Sequence, residues 1–144
     1  MKKRFIPATL LALAAVLSGC EASKESQVTT EQAQMKSVTG TVAYRERIAL
    51  PPNAVVTIKL LDVSKQDVAA DVVAEQTFTT DGAQVPFDFE LSYDTTDIQP
   101  KHTYSVSARI EVDGKLRFIS DTRYAVITDS NNTQHAALML KGVR

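Results

Sequence analysis

Apolar and polar residues alternate along most of the chain from residue 37 onward. In the segment PFDFELSY, for example, Phe87, Phe89, Leu91 and Tyr93 alternate with acidic residues or serine. A period of two residues is typical of β-strands that bury one face. The segments predicted to be strands are SVTGTVAY (37–44), VTIKLLD (56–62), the less regular DVVAEQTF (71–78), PFDFELSY (86–93), TYSVSARIEV (103–112), KLRFIS (115–120), RYAVIT (123–128) and HAALML (135–140). No segment after residue 36 has a sustained helical period.

Strands with one apolar and one polar face pack as two facing sheets or as a small barrel. Eight strands at intervals of roughly ten residues favour a sandwich of immunoglobulin-like size. The chain has one Cys and no Trp, so it is not a true immunoglobulin domain. The predicted fold is therefore an all-β, small two-sheet antiparallel β-sandwich of about 7–8 strands. The side chains predicted to face its core include Val38, Gly40, Val42, Tyr44, Val56, Ile58, Leu60, Tyr104, Val106, Ala108, Ile110 and Val112.

The Asp-Gly dipeptide at 113–114 is typical of a two-residue hairpin turn. With a two-residue loop, however, apolar positions of one strand face polar positions of the next. A three-residue loop over 112–114, with Gly114 left-handed, avoids this mismatch and is the predicted turn. The pairs that it predicts are Ile110 with Leu116, Ala108 with Phe118, Glu111 with Lys115 and, at a small cost, Arg109 with Arg117.

The first nineteen residues differ from the rest of the chain. A basic start, MKKR, precedes the apolar segment FIPATLLALAAVL, which is shorter than the roughly 20 residues that a membrane-spanning helix needs. This order predicts a secretory signal peptide over residues 1–19. The alternative, a buried amphipathic first helix, lacks the polar face that a helical period requires.

The signal ends at Leu17-Ser18-Gly19-Cys20, which contains the single cysteine of the chain. This sequence resembles the lipobox of bacterial lipoproteins. The resemblance implies cleavage between Gly19 and Cys20, a thioether-linked diacylglycerol on Cys20 and an acyl group on the new amine. Two or more acyl chains anchor a protein stably in a membrane. Because Glu21 is not aspartate, the resemblance further implies the outer membrane and its periplasmic face.

Residues 21–36 contain no aromatic residue, Pro or Gly and have few apolar side chains. Such a segment is predicted to be a flexible tether, and a coil of this length spans about 20–24 Å on average. A short helix over 30–35 is the alternative. The predicted organisation is a signal peptide over 1–19, a lipidated N-terminus and tether over 20–36, and a β-sandwich domain over 37–144.

The charge of the predicted mature protein does not favour nucleic-acid binding. Without Lys2, Lys3 and Arg4, 13 of the 16 basic residues remain against 17 acidic ones. The resulting net charge of about −4 is opposite to that of a phosphate-binding surface. Nucleic acid is therefore not an expected partner.

Catalytic and metal-binding motifs are absent from the sequence. His102, in a loop after Pro100, and His135 show no metal-ligand spacing and are expected to be surface residues. There is no Gly-x-Ser-x-Gly elbow and no phosphate-binding loop. We therefore expect no enzyme activity, no metal and no cofactor.

Carboxylates are plentiful, as in the pairs Asp88 with Glu90 and Asp94 with Asp97. Asp88 and Glu90 lie on the same predicted polar face, so a glycosidase-type pair is conceivable. A domain of this size has little room for the deep cleft that such enzymes need. A solvated acidic face is the interpretation that the sequence favours.

Four segments resemble the YbaY/YscW-like lipoprotein family: GTVAYRERIALPPNAVVTIKLLDVS (40–64), VPFDFELSYD (85–94), YSVSARIEVDGKLRF (104–118) and DTRYAVIT (121–128). The resemblance implies a lipoprotein that carries a compact β-sandwich. The best-understood branch comprises type III secretion lipoprotein chaperones, or pilotins, which bind an outer-membrane secretin subunit. The segment YRERIALPPNAVV is similar to the YbaY-like branch. No ligand-binding residue can be carried over.

Two classes of function follow from these patterns. The first is a non-catalytic outer-membrane lipoprotein that acts as a chaperone or scaffold for an envelope protein, which could pair with an exposed sheet edge. The alternative is a protein that binds or processes envelope polysaccharide, with carboxylates beside Tyr44 or Tyr124. The absence of Trp, a common sugar-stacking residue, weighs against this alternative. A purely structural lipoprotein is a third possibility.

Overall fold

The computed structural model describes residues 34–144. All eight predicted strands are present within this range. They are β1 (Met35–Tyr44), β2 (Val55–Asp62), β3 (Asp71–Thr79), β4 (Phe87–Asp94), β5 (Tyr104–Val112), β6 (Lys115–Ile119), β7 (Tyr124–Val126) and β8 (His135–Gly142). A single-turn 3-10 helix, Thr95–Asp97, follows β4. Strand β1 begins two residues before the predicted domain boundary at 37.

The strands form one strongly curved sheet in the order β3-β2-β5-β6-β8-β1-β4, and β7 continues the position of β6 beside β5. The prediction of a small all-β domain with about eight strands is confirmed, and the two predicted sheets are joined into one by the short pairing of β6 with β8. The purely antiparallel arrangement needs one correction, because β1 and β8 run parallel. Alternation of side chains reports which residues are strands and which face they bury, but it does not report strand direction.

The two ends of the sheet, β3 and β4, approach each other and nearly close the sheet into a barrel. The main-chain N–H of Glu90 in β4 donates to Gln76 Oε1 in β3 at 3.0 Å. Beside this bond, the rings of Phe78 and Phe87 pack edge to face with their centroids 5.6 Å apart. We call this contact the β3–β4 seam. Side-chain contacts close this seam in place of a main-chain ladder, and such contacts protect the edge strands from pairing with another chain.

The core lies on the face that the alternation predicts. Strand β4 alternates strictly between buried and exposed residues, and Val56, Ile58 and Leu60 of β2 are completely buried. Gly40 of β1 also faces inward, where the main chain of Ala136 and the ring of Phe89 leave no room for a side chain. Burial of this apolar surface supplies the main driving force for folding.

The β5–β6 hairpin corrects the predicted register. Val112 pairs with Lys115, so the loop has two residues, and both Asp113 (φ 52°) and Gly114 (φ 76°) are left-handed. This geometry is that of a type I′ turn. The observed pairs are Val112 with Lys115, Glu111 with Leu116, Ile110 with Phe118 and Arg109 with Ile119. A bulge at Arg117 restores the match between the apolar faces, and it also removes the predicted Arg109–Arg117 contact.

Candidate partner-binding surfaces

The residues predicted to carry the lipid lie outside the described range. Gly19 and Cys20, the signal peptide and nearly all of the tether precede residue 34. Cleavage and lipidation at Cys20 therefore remain predictions. Within residues 34–144, no helix has both the length and the apolar character needed to span a membrane.

The candidate carboxylates lie on the surface, and Glu90 and Asp94 form hydrogen bonds with nearby residues. Asp88 and Glu90 are exposed on the outer face of β4, and Glu90 Oε1 accepts a hydrogen bond from Ser37 Oγ at 3.0 Å. Asp94 caps the 3-10 helix by accepting from the N–H of Thr96 at 2.8 Å, and this bond lowers the pKa of Asp94. In the part of the chain that the structure describes, no three His, Cys, Asp or Glu side chains are grouped to hold a metal ion.

The two histidines differ in their surroundings. His135 is exposed, with Nδ1 3.2 Å from Thr39 Oγ1. His102 is half-buried, with Nδ1 2.6 Å from Asp62 Oδ2. His102 is thus a partly covered surface residue that joins the loop before β5 to the end of β2. Partial burial alone would raise the pKa of Asp62, but hydrogen bonds from His102 and Ser64 lower it below the usual value.

The two tyrosines suggested for sugar stacking are also dissimilar. Tyr44 is buried, stacks on Phe118 with ring centroids 4.0 Å apart, and donates from its hydroxyl to the carbonyl of Ile48 at 2.6 Å. Burial, together with the nearby charge of Glu46, raises the pKa of Tyr44. Tyr44 is therefore a core residue and not the exposed aromatic that the alternative function requires. Tyr124 is half-buried and faces a groove.

This groove has a volume of about 520 Å³, and we call it the β8 groove. It is formed by segments that are distant in the sequence: the end of β1, the β6–β7 connection, Tyr124 and the second half of β8. Met139, 39% exposed, and the buried Leu140 supply apolar surface. Arg45 and Arg144 contribute charge at its rim.

Both carboxylates of the β8 groove are already engaged. Asp121 Oδ2 lies 2.6 Å from Lys141 Nζ, and this hydrogen bond lowers the pKa of Asp121 and raises that of Lys141. Glu46 Oε1 accepts from the N–H of Gly142 at 3.2 Å. Asp121 is thus held ionised, which is unsuitable for the general acid of a glycosidase. The groove does place carboxylates beside Tyr124, as polysaccharide binding would need.

A second concavity of about 290 Å³ lies on the outer face of β2, β5 and β6. Its apolar surface comes from Leu61, Val72 and Ile119, and Val72 is 50% exposed. Arg109 borders it and binds Glu111 Oε1 through Nη2 at 2.8 Å. The Nε atom of Arg109 is buried and has no hydrogen-bond partner among residues 34–144.

The structure is thus a small β-rich domain with two open grooves on its surface. The chain belongs to the YscW family of type III secretion system lipoprotein chaperones, whose profile matches residues 33–140. This finding confirms the family that the sequence segments resemble.

The chain is also similar to two other proteins. The uncharacterized lipoprotein YbaY of Escherichia coli K12 is 41% identical over 106 residues, which are 74% of this chain and 56% of YbaY. The chain therefore matches just over half the length of this curated relative. An alternative pilotin from the type II secretion system of Vibrio cholerae, a solved structure, is 61% identical with a TM-score of 0.75. That match covers 77% of this chain and 99% of the pilotin chain.

Proposed function

We propose that this protein is a non-catalytic, lipid-anchored chaperone of the bacterial outer membrane that binds a secretin-like envelope protein on the periplasmic side. The observation that carries the proposal is the 61% identity to a type II secretion pilotin over 99% of the pilotin chain. Membership of a lipoprotein chaperone family over residues 33–140 supports the same conclusion.

The position of the β8 groove suits such a carrier. The chain enters the domain at Met35, the first residue of β1, whereas Arg45 at the rim of the groove follows the last residue of β1. A ten-residue strand spans about 30 Å at the usual rise per residue. The groove therefore opens at the end of β1 opposite to Met35. A lipid on Cys20 would hold the domain at the membrane and leave this end accessible.

The proposed anchor is tested separately from binding. Mass spectrometry of the protein purified from membranes should show a mature chain that begins at a triacylated Cys20. Co-purification in mild detergent should recover the secretin subunit with both the wild type and a Cys20→Ala variant, because the binding domain is unchanged. Only the wild type should carry that subunit into the outer-membrane fraction. Recovery of no secretin subunit by the wild type would refute the proposed function.

Binding of envelope polysaccharide is the second candidate, and the arrangement of Tyr124 beside Asp121 in the β8 groove is the observation in its favour. Cosedimentation with purified peptidoglycan sacculi tests it. Saturable binding by the wild type that is lost in Tyr124→Ala would support this candidate. Equal sedimentation of both proteins would remove the groove as a sugar site.

A further inference from the structure

Strands β7 and β8 are held together at both ends but not between them. At the connecting loop, the N–H of Ile127 donates to the carbonyl of Thr133 at 2.8 Å, and beyond β7 Ile119 pairs with Lys141. The same number of residues separates these two contacts on both strands, so a single antiparallel ladder could join them. In the described chain, however, residues 135–139 pair with neither β6 nor β7. We call this unpaired stretch the β7–β8 slit.

The main chain of β8 presents hydrogen-bonding groups to the slit. The N–H of Thr39 donates to the carbonyl of Gln134 at 2.9 Å, which fixes the parallel register of β1 and β8. In this register, the even-numbered residues of β8 direct their N–H and C=O groups toward β1. The odd-numbered residues, His135, Ala137 and Met139, therefore direct their N–H and C=O groups toward the slit. Backbone groups of this kind are strong donors and acceptors that favour a partner.

A side chain occupies the place of a strand at one end of the slit. The N–H of Met139 donates to the hydroxyl of Tyr124 at 2.9 Å. A peptide carbonyl accepts a hydrogen bond in the same direction, so an incoming strand can replace this hydroxyl. The slit opens at this point into the β8 groove, which Tyr124 and Met139 both line.

The charges around the slit favour an acidic occupant. Lys141 and Asp121 neutralise each other at 2.6 Å, which leaves Glu46 as the other carboxylate of the groove. Arg45 and Arg144, at the rim of the groove, and Arg123, one residue before β7, form no ion pair within residues 34–144. Unpaired cations next to a free strand edge attract carboxylates and fix the register of a bound segment.

The other interruption of the sheet is less suited to docking. At the β3–β4 seam, Gln76 already satisfies the N–H of Glu90, and Phe78 packs on Phe87. These contacts fill the seam from inside the domain. In the β7–β8 slit, the hydroxyl of Tyr124 accepts from the N–H of Met139 at 2.9 Å and donates to the carbonyl of the same residue at 3.5 Å. A partner strand has to replace only this one side chain, and an open groove lies beside it.

From this geometry we propose that an extended, acidic segment of the partner adds as a strand to the free edge of β8 in the β7–β8 slit. Its carbonyls accept from the N–H groups of Ala137 and Met139, its N–H groups donate to the carbonyls of the same residues, and its carboxylates pair with Arg45 and Arg123. This is β-augmentation, in which the main chain supplies affinity and the flanking charges supply specificity. The inference rests on the proposed function and specifies which part of the partner is bound.

Proline at position 137 tests the edge directly. Ala137→Pro removes an N–H that points into the slit and fills its place with the pyrrolidine ring, while the bonds between β8 and β1 are kept. The matched control is Thr77→Pro, on the edge of β3 that faces the β3–β4 seam. The full-length proteins in detergent are titrated with the purified secretin subunit. We expect at least about tenfold weaker binding for Ala137→Pro and unchanged binding for Thr77→Pro.

A second measurement does not depend on how well the proline variant folds. In hydrogen–deuterium exchange of the wild-type protein, the amides of residues 135–139 should gain protection when the secretin subunit binds. Arg123→Glu should also weaken binding, more at low salt than at high salt. The control Lys115→Glu, at an exposed position at the opposite end of β5 from β7, should leave binding unchanged.

The outcomes separate the two proposals. If the wild type binds the secretin subunit but residues 135–139 gain no protection, or Ala137→Pro binds as tightly as the wild type, the slit is not the docking site and the proposed function stands. If the wild type binds no secretin subunit, the proposed function fails and this inference fails with it. A bound segment that is helical by NMR would also overturn the added strand.

Discussion

Replacing Gly40 with alanine should strongly destabilise the domain. Gly40 lies in β1 between β4 and β8, and a Cβ atom there would stand 1.8 Å from the carbonyl oxygen of Ala136 and 2.8 Å from Phe89 Cε1. Both distances are far below van der Waals contact. The nearest atom belongs to the main chain of β8, so a side-chain rotation cannot relieve the overlap.

The loss of stability in Gly40→Ala can be worked out from the strand that has to shift. To accept the methyl group, β8 has to shift away from β1, which weakens neighbouring bonds of the parallel ladder at about 1 kcal/mol each. Overpacking of a well-filled core adds about 1–3 kcal/mol. We therefore expect Gly40→Ala to lower the free energy of unfolding by about 3 kcal/mol or more, out of a typical 5–15 kcal/mol.

Urea denaturation followed by far-UV circular dichroism measures this loss. Gly142→Ala is the matched control, because its Cβ would meet the flexible carboxylate of Glu46 at 3.2 Å and no main-chain atom within the same distance. We expect a loss below about 1 kcal/mol for Gly142→Ala. Equal stability of the two variants, or a Gly40→Ala protein as stable as the wild type, would refute the close packing of β1 against β8.

Three further predictions concern the core, the loop network and the slit. Ile58→Ala, at a completely buried position, should cost about 3–4 kcal/mol in urea denaturation, and a loss below 1 kcal/mol would contradict its burial. Because the pKa of Asp62 is lowered in the folded state, its stabilisation is complete above the unfolded value of 3.8 and is lost as the pH falls through the folded value. Asp62→Asn should therefore flatten the acid side of the stability–pH profile, as should His102→Ala in part, and an unchanged profile would exclude this coupling. Tyr124→Phe should leave the fold intact but speed amide exchange at Met139, whereas unchanged exchange would show that the hydroxyl does not hold the slit.

The strands and their buried faces could be predicted because both depend on a local period of two residues. Phe87, Phe89, Leu91 and Tyr93 all face the core, as their spacing indicates. The hairpin at 113–114 shows where local patterns become insufficient. The bulge at Arg117 depends on the C-terminal segment, since the N–H of Val143 donates to the carbonyl of Arg117 at 2.8 Å. Spacing within the hairpin contains no signal of that contact.

The sequence pattern could not predict two further features, the parallel pairing of β1 with β8 and the β7–β8 slit. Both depend on which distant strands become neighbours, and alternation is the same for parallel and antiparallel partners. The β8 groove is built from Arg45, Tyr124 and Met139, which are far apart along the chain.

The choice between the two tyrosines required the structure as well. The alternation places Tyr44 on the apolar face, and the structure confirms that position, which removes it as a surface aromatic. Tyr124 also has its ring partly covered, but its hydroxyl reaches Met139 in the next strand. This contact joins residues that are fifteen positions apart in the chain, and side-chain alternation does not report it.

The most direct test of the account is the fate of the secretin in cells that lack this protein. Outer membranes are separated by density, and the denaturation-resistant secretin multimer is measured by immunoblot after complementation with the wild type or with Cys20→Ala. The account predicts that the multimer is lost from the outer membrane in the deletion strain, returns with the wild type and does not return with Cys20→Ala. A full amount of outer-membrane multimer in the deletion strain would contradict it.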